Sequence, residues 1–129
     1  MKTLIRIGFM GFCASLMMSV QAAKLSQAEY DQFIEVQTNI VNETKPILDE
    51  ANPEVDATAQ RDAFCARLTA YENIKKTSEE NIELNMAAMM KIVADSFLSR
   101  QHDSLTQSGM TTQVFCGSIK QDIKKDILE

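Results

Sequence analysis

TAQRDAFCARLTAYENIKKTSEENIELNMAAMMKIVADSFL, residues 58–98, is the stretch whose reading decides the fold. Its apolar residues recur at helical spacing from end to end. Phe64, Leu68, Tyr71 and Ile74 mark the first half, and Ile82, Met86, Met89, Met90, Val93 and Phe97 mark the second. No Gly or Pro interrupts it, and the two stripes keep nearly the same phase. As one helix it would run about 60 Å, too long for a compact chain of this size. Two helices are therefore predicted. Lys75-Lys76 suits a helix C-terminus, where cations meet the negative end of the dipole. Thr77 and Glu80 read as a capping box opening the next helix, and Thr58 as the N-cap of the earlier one.

Upstream, Ser26-Gln27-Ala28-Glu29 is another capping box. Tyr30, Phe33, Ile34, Ile40, Val41, Ile47, Leu48 and Ala51 continue from it as an apolar stripe. Pro46 removes the hydrogen bond to Asn42, so a kink or a restart is expected there, and Asn52-Pro53 ends the helix. Downstream, residues 100–109 read as a polar link. A last helix starts near Met110 or Thr111, with Phe115, Ile119, Ile123 and Ile127 every four residues. Gly117 within it would permit a neighbouring helix to approach closely. Strand signals are nearly absent: there is no sustained alternation and no Asn-Gly or Asp-Gly turn. The expected fold is all-α, a small antiparallel bundle of about four helices with the first kinked at Pro46.

The first 22 residues read differently. Lys2 and Arg6 precede an apolar run from Ile7 to Val20, and Ala22 supplies the small residue before a cut. This is the tripartite pattern of a cleaved secretory signal. The run is 14 residues, whereas a spanning helix needs about 20. Cleavage near Ala22/Ala23 would leave one helical domain, residues 23–129, in the periplasm or secreted. It would remove Lys2 and Arg6 and no acid, moving the net charge from −5 to −7. So acidic a chain is a poor ligand for nucleic acid, whose affinity is carried by Lys and Arg.

Cys13 would leave with the signal, and Cys65 and Cys116 remain. An even count in an oxidising compartment predicts a disulfide between them. A redox or metal-binding pair is less well supplied, with no Cys-x-x-Cys and no His within four residues of either Cys.

Catalytic groups are sparse. The single histidine, His102, sits in Arg100-Gln101-His102-Asp103-Ser104 and reads as a solvent-exposed loop residue. Adjacent His, Asp and Ser point apart and make no triad. An enzyme would need scattered carboxylates such as Glu72 or Glu83 to converge. Met86, Met89 and Met90 share one helical face. Thioethers can select Cu(I), but these three also continue the apolar stripe and read first as core filler. Glu79, Glu80 and Glu83 read as a solvated face opposite them. Asp49, Glu50, Glu54, Asp56 and Asp62 crowd one loop, opposed only by Arg61. Acids before a helix complement its dipole. They would also suit a cationic partner.

These readings lead by subtraction to a small exported protein without catalysis. It would bind another protein of the cell envelope, in an inhibitor, immunity or chaperone-like role. The competing expectation is a carrier of Cu(I) or a small apolar ligand on the Met86/Met89/Met90 face. Otherwise no cofactor is expected. The mature chain should hold no stable membrane span, and its oligomeric state stays open.

Overall fold

The computed structural model describes residues 24–49 and 54–117. They form α1 (Gln27–Thr44), α2 (Ala57–Glu80), α3 (Ala87–Gln107) and a helical segment α4 at residues 112–117. The fold is all-α, and Cys65 is bonded to Cys116 with a Cα–Cα distance of 5.7 Å. The expected signal segment, Asn52-Pro53 and the run Ile119, Ile123 and Ile127 lie outside the described residues. Among the described residues, no helix is long and apolar enough to cross a membrane.

α2 is the hub, with α1 and α3 both packed along it. Its residues Ala63, Arg67, Ala70, Ile74, Ser78 and Asn81 recur at spacings of three and four, one stripe of a helix. That stripe meets α1. Tyr30, Gln37 and Thr44 are the buried residues of α1, each seven from the next. Each has a polar partner on α2. The Tyr30 hydroxyl and Ser78 Oγ share a hydrogen bond of 2.7 Å. Asn73 Nδ2 donates to Gln37 Oε1 at 3.3 Å. Arg67 Nε donates to Thr44 Oγ1 at 2.7 Å. The numbers run in opposite directions, so the two helices are antiparallel. A slip of one turn would break all three contacts and orphan buried polar groups, which costs about 1–3 kcal/mol apiece.

The second face of α2 meets α3 and α4. Tyr71 stacks on Phe97 with ring centroids 4.0 Å apart. Phe64 meets Phe115 edge to face at 5.5 Å. Lys75 reaches Asp95 at 2.6 Å. Ala87 and Ala94 of α3, seven apart, have no exposed surface. Their small side chains let α3 lie close to its neighbours.

Local chemistry explains the ends. The capping box of α1 forms as expected, with Glu29 accepting from the Ser26 amide and Ser26 Oγ accepting from the Glu29 amide. The first helix does not continue through Pro46 with a kink; it ends at Thr44 and the chain turns. Pro46 has no amide proton for the Asn42 carbonyl, so the Lys45 amide takes it instead, at 3.1 Å. The Val41 carbonyl is then satisfied by Thr44 Oγ1 and by Arg67 reaching across from α2.

α2 is capped by Asp56, which accepts from the Ala59 amide at 2.9 Å, not by Thr58. Two helices do replace the single long one, but the break comes later than the Thr77–Glu80 capping box implies. Thr77 and Ser78 lie inside α2. Ser78 Oγ is held by Tyr30, so it does not compete for local backbone groups. Asn81 ends the helix. Its Nδ2 donates to the Thr77 carbonyl, and its Oδ1 accepts from the Leu25 amide at 2.9 Å. A bend follows to Met86, which is left-handed at φ 67°. A non-glycine residue pays about 1–2 kcal/mol there.

α3 extends through residues expected to form a polar link, so His102 is helical and exposed. Gly109 stops it at φ 72°, with its amide on Thr106 and the Met110 amide on Leu105, a Schellman closure that favours glycine. Thr111 then caps α4 through the Val114 amide. Among the described residues a Cβ built on Gly117 meets nothing within 4 Å, so none of the described helices approaches closely there.

Candidate functional site

The face of α3 turned away from α2 has an unusual composition. From residue 85 to residue 99 the exposed residues are Asn85, Met86, Ala88, Met89, Ile92, Val93, Ser96 and Ser99. None is charged. Solvated helix faces ordinarily carry charge, and 24% of this chain is Asp, Glu, Lys or Arg. The apolar members are well presented: Met86 is 50% exposed, Met89 57%, Ile92 65% and Val93 45%.

The expectation that the methionines fill the core fails for Met86 and Met89. The stripe drawn through Ile82, Met86, Met89 and Val93 is the outer face, and Ala87 and Ala94 are the residues that α3 buries. Met90 is half-buried between the two. The physical reason is that α3 meets its neighbours along a narrow seam in which Ala87 and Ala94 are buried and Phe97 stacks on Tyr71, which leaves Met86, Met89, Ile92 and Val93 outside.

The border of this face is polar and organised. Asp95 accepts from Lys75 at 2.6 Å and from Lys91 at 2.9 Å. The two ammonium groups, Lys75 first, hold its carboxyl below the usual carboxylate range, and Asp95 in turn raises Lys91. A lowered carboxyl contributes stability above its ordinary value near 3.8 and loses it as the pH falls through the shifted value. Thermal melts of Asp95→Asn should therefore lose less on acidification from neutral to strongly acidic buffer than those of the parent. Equal losses would show that the pair is not formed. At the start of the face Glu83 pairs with Lys24, whose hydrogen bond lowers the Glu83 carboxyl. Glu83 is thus part of an ion pair, while Glu79 and Glu80 are exposed on the last turn of α2.

The acidic cluster is less of a site than its sequence suggests. Asp56 is occupied as the N-cap of α2, and Asp62 pairs with Arg61 at 3.2 Å. Asp49 and Glu54 are exposed, and Glu50 lies outside the described residues. Lys75-Lys76 does not terminate a helix either; α2 continues to Glu80.

A cleft of about 350 Å³ opens between α2, α3 and α4. Glu72, Lys75, Lys76, Glu79, His102 and Thr112 contribute its polar lining, and the Cys65–Cys116 bond borders an adjoining hollow. Its charges are of both signs, and Lys75 is committed to Asp95. Among the described residues, no group of three or more His, Cys, Asp or Glu side chains could hold a metal ion.

Sequence periodicity picked out Met86, Met89 and Val93 of the α3 face but assigned them to the interior, and it passed over Ile92, the most exposed apolar residue of the face. A charge count along α3 carries the missing signal: within 85–99 only Lys91 and Asp95 are charged, and both sit on one flank.

No protein-family model matches the chain, and no curated protein or solved structure matches it either.

Proposed function

We propose that this chain is a small exported protein that acts without catalysis, by docking another protein of the cell envelope on the outer face of α3. The observation that carries this reading is the set of eight exposed, uncharged residues between 85 and 99. An apolar helix face bordered by polar groups is the composition of a protein-binding patch. Methionine suits it, since its flexible thioether adapts to a partner's shape. Export is supported by the disulfide, which persists in oxidising compartments, and by the signal-like first 22 residues. An inhibitor, an immunity protein and a chaperone all fit.

The acidic loop is a weaker surface, because Asp56 and Asp62 already have structural partners. Carriage of Cu(I) is the second reading, favoured by the half-exposed side chains of Met86 and Met89. Reduced-copper titration decides it, since replacing Met86, Met89 and Met90 by leucine should abolish binding by a genuine thioether site.

A photo-crosslinking residue at position 92, introduced in intact cells, is expected to capture a specific foreign protein. The same probe at exposed Gln32 on α1 should not. Met89→Glu should reduce the yield at least tenfold, as a charge placed in an apolar contact does. Equal capture from both positions, or no effect of Met89→Glu, would overturn the docking assignment.

A further inference from the structure

We infer that Met86 and Met89 are a pair of modification sites, and that their conversion to sulfoxides by a peroxide closes the α3 face to its partner. The inference rests on reading this face as a docking surface, and it names how that surface is regulated. Exposure, the state of the other sulfur and the chemistry of the product support it.

Exposure divides the methionines into two classes. Outside the first 22 residues the chain has four, Met86, Met89, Met90 and Met110. Met86 is 50% exposed and Met89 57%, whereas Met90 and Met110 are half-buried. Oxidation of a thioether follows the access of the oxidant to its sulfur. Met86 is the N-cap residue of α3 and Met89 lies in the first turn, so the two open thioethers sit together at the head of the uncharged face.

The other oxidisable groups are withdrawn. Cys65 and Cys116 are already joined, so neither offers a thiol. The chain has no Trp. Tyr30 is buried, and Tyr71 is stacked on Phe97. Among the described residues, Met86 and Met89 therefore present the most accessible reduced sulfur. Backbone strain points the same way. Met86 is left-handed at φ 67°, and residues held in such conformations cluster at switch regions.

The step needs only the peroxide. With hydrogen peroxide, sulfur gives up two electrons and bonds one oxygen. The O–O bond breaks, and the second oxygen leaves with both hydrogens as water. The product is polar where the thioether was apolar. Two sulfoxides beside Ile92 and Val93 would be buried without partners in an apolar contact, which opposes docking. Both side chains stand outside the interior, so the bundle keeps its fold. Methionine sulfoxide reductases reverse the change.

The test exposes the full chain, purified as the cell delivers it, to hydrogen peroxide and follows each methionine by peptide mass spectrometry. Met86 and Met89 should each gain one oxygen at least about tenfold faster than Met90 and Met110. The circular dichroism spectrum should not change. Rates for all four within about twofold of one another overturn the inference. In intact cells, the same oxidant should cut capture from the photo-crosslinking residue at position 92 at least about tenfold. The double variant Met86→Leu with Met89→Leu, close in volume, should keep its capture through the treatment. Capture that survives oxidation of both methionines, or falls as far in the leucine variant, overturns the switch and leaves the docking surface standing. No capture even before oxidation overturns the docking assignment and the switch with it.

Discussion

Replacing Cys65 and Cys116 by alanine is expected to lower stability by about 4 kcal/mol, the entropy of closing a loop of this length in the unfolded chain. The separation is 51 residues and spans most of α2, the bend, α3 and the start of α4. The loss should be a large share of the total, because the interior formed by the described residues is thin. Its buried apolar residues include four alanines, Ala63, Ala70, Ala87 and Ala94, and the largest fully buried side chains are Tyr30, Ile74 and Ser78. A domain has only about 5–15 kcal/mol in total. The melting temperature should fall by roughly 15–30 °C, at about 4–8 °C per kcal/mol. Chemical unfolding of the parent with and without reductant measures the same quantity. A change below about 1 kcal/mol would show that the α2–α4 contact holds without the bond.

Tyr30→Ala carries the second large effect, about 3–5 kcal/mol. Tyr30 is 1% exposed, and its hydroxyl is the partner of Ser78, which has no exposed surface. Removing the ring opens a cavity in the α1–α2 seam and leaves Ser78 Oγ without its tertiary partner. The other buried contacts of α1 are the polar ones at Gln37 and Thr44, which cannot replace the lost apolar area. The expected result is release of α1 while α2, α3 and α4 stay joined. Hydrogen exchange should lose protection across residues 30–44 and keep it across 63–80. Tyr30→Phe should cost only about 1–3 kcal/mol, since it orphans one hydroxyl and fills the space. Uniform loss of protection would mean that the bundle unfolds as one unit.

Helix class was legible from the sequence because apolar spacing and capping chemistry act locally. The Ser26–Glu29 box, the start of α4 at Thr111 and the Cys65–Cys116 pairing all rest on residues close in sequence or on a count that admits one answer. The end of α2 was not legible. Thr77 and Ser78 resemble a helix start only while Tyr30, 48 residues away, is left out. The end of α1 depends likewise on Arg67, which satisfies Val41 from another helix. The stripe Phe64, Leu68, Tyr71 and Ile74 reads as one buried face, yet α2 is covered on two. Apart from Ile74, the face toward α1 is written in Ala, Arg, Ser and Asn, which hydrophobic counting passes over.

The candidate site escaped for a related reason. Periodicity identifies which residues share a side of a helix, not which side turns inward. On α3 the small residues Ala87 and Ala94 turned inward with Phe97, and Met86, Met89, Ile92 and Val93 stayed outside. Only the missing charge distinguishes such a face from an interior one.

Met86 joins two of these features. It is the left-handed residue at the head of α3 and the first large apolar residue of the uncharged face. Glycine would hold that backbone without strain, so the side chain is kept at an energetic disadvantage. Local rules are broken in this way where a surface has a task that competes with folding. An effort to make this molecule more heat-resistant would begin with Met86→Gly. It would also begin to erode the face proposed for docking, because under that proposal durability and recognition draw on the same side chain at this position.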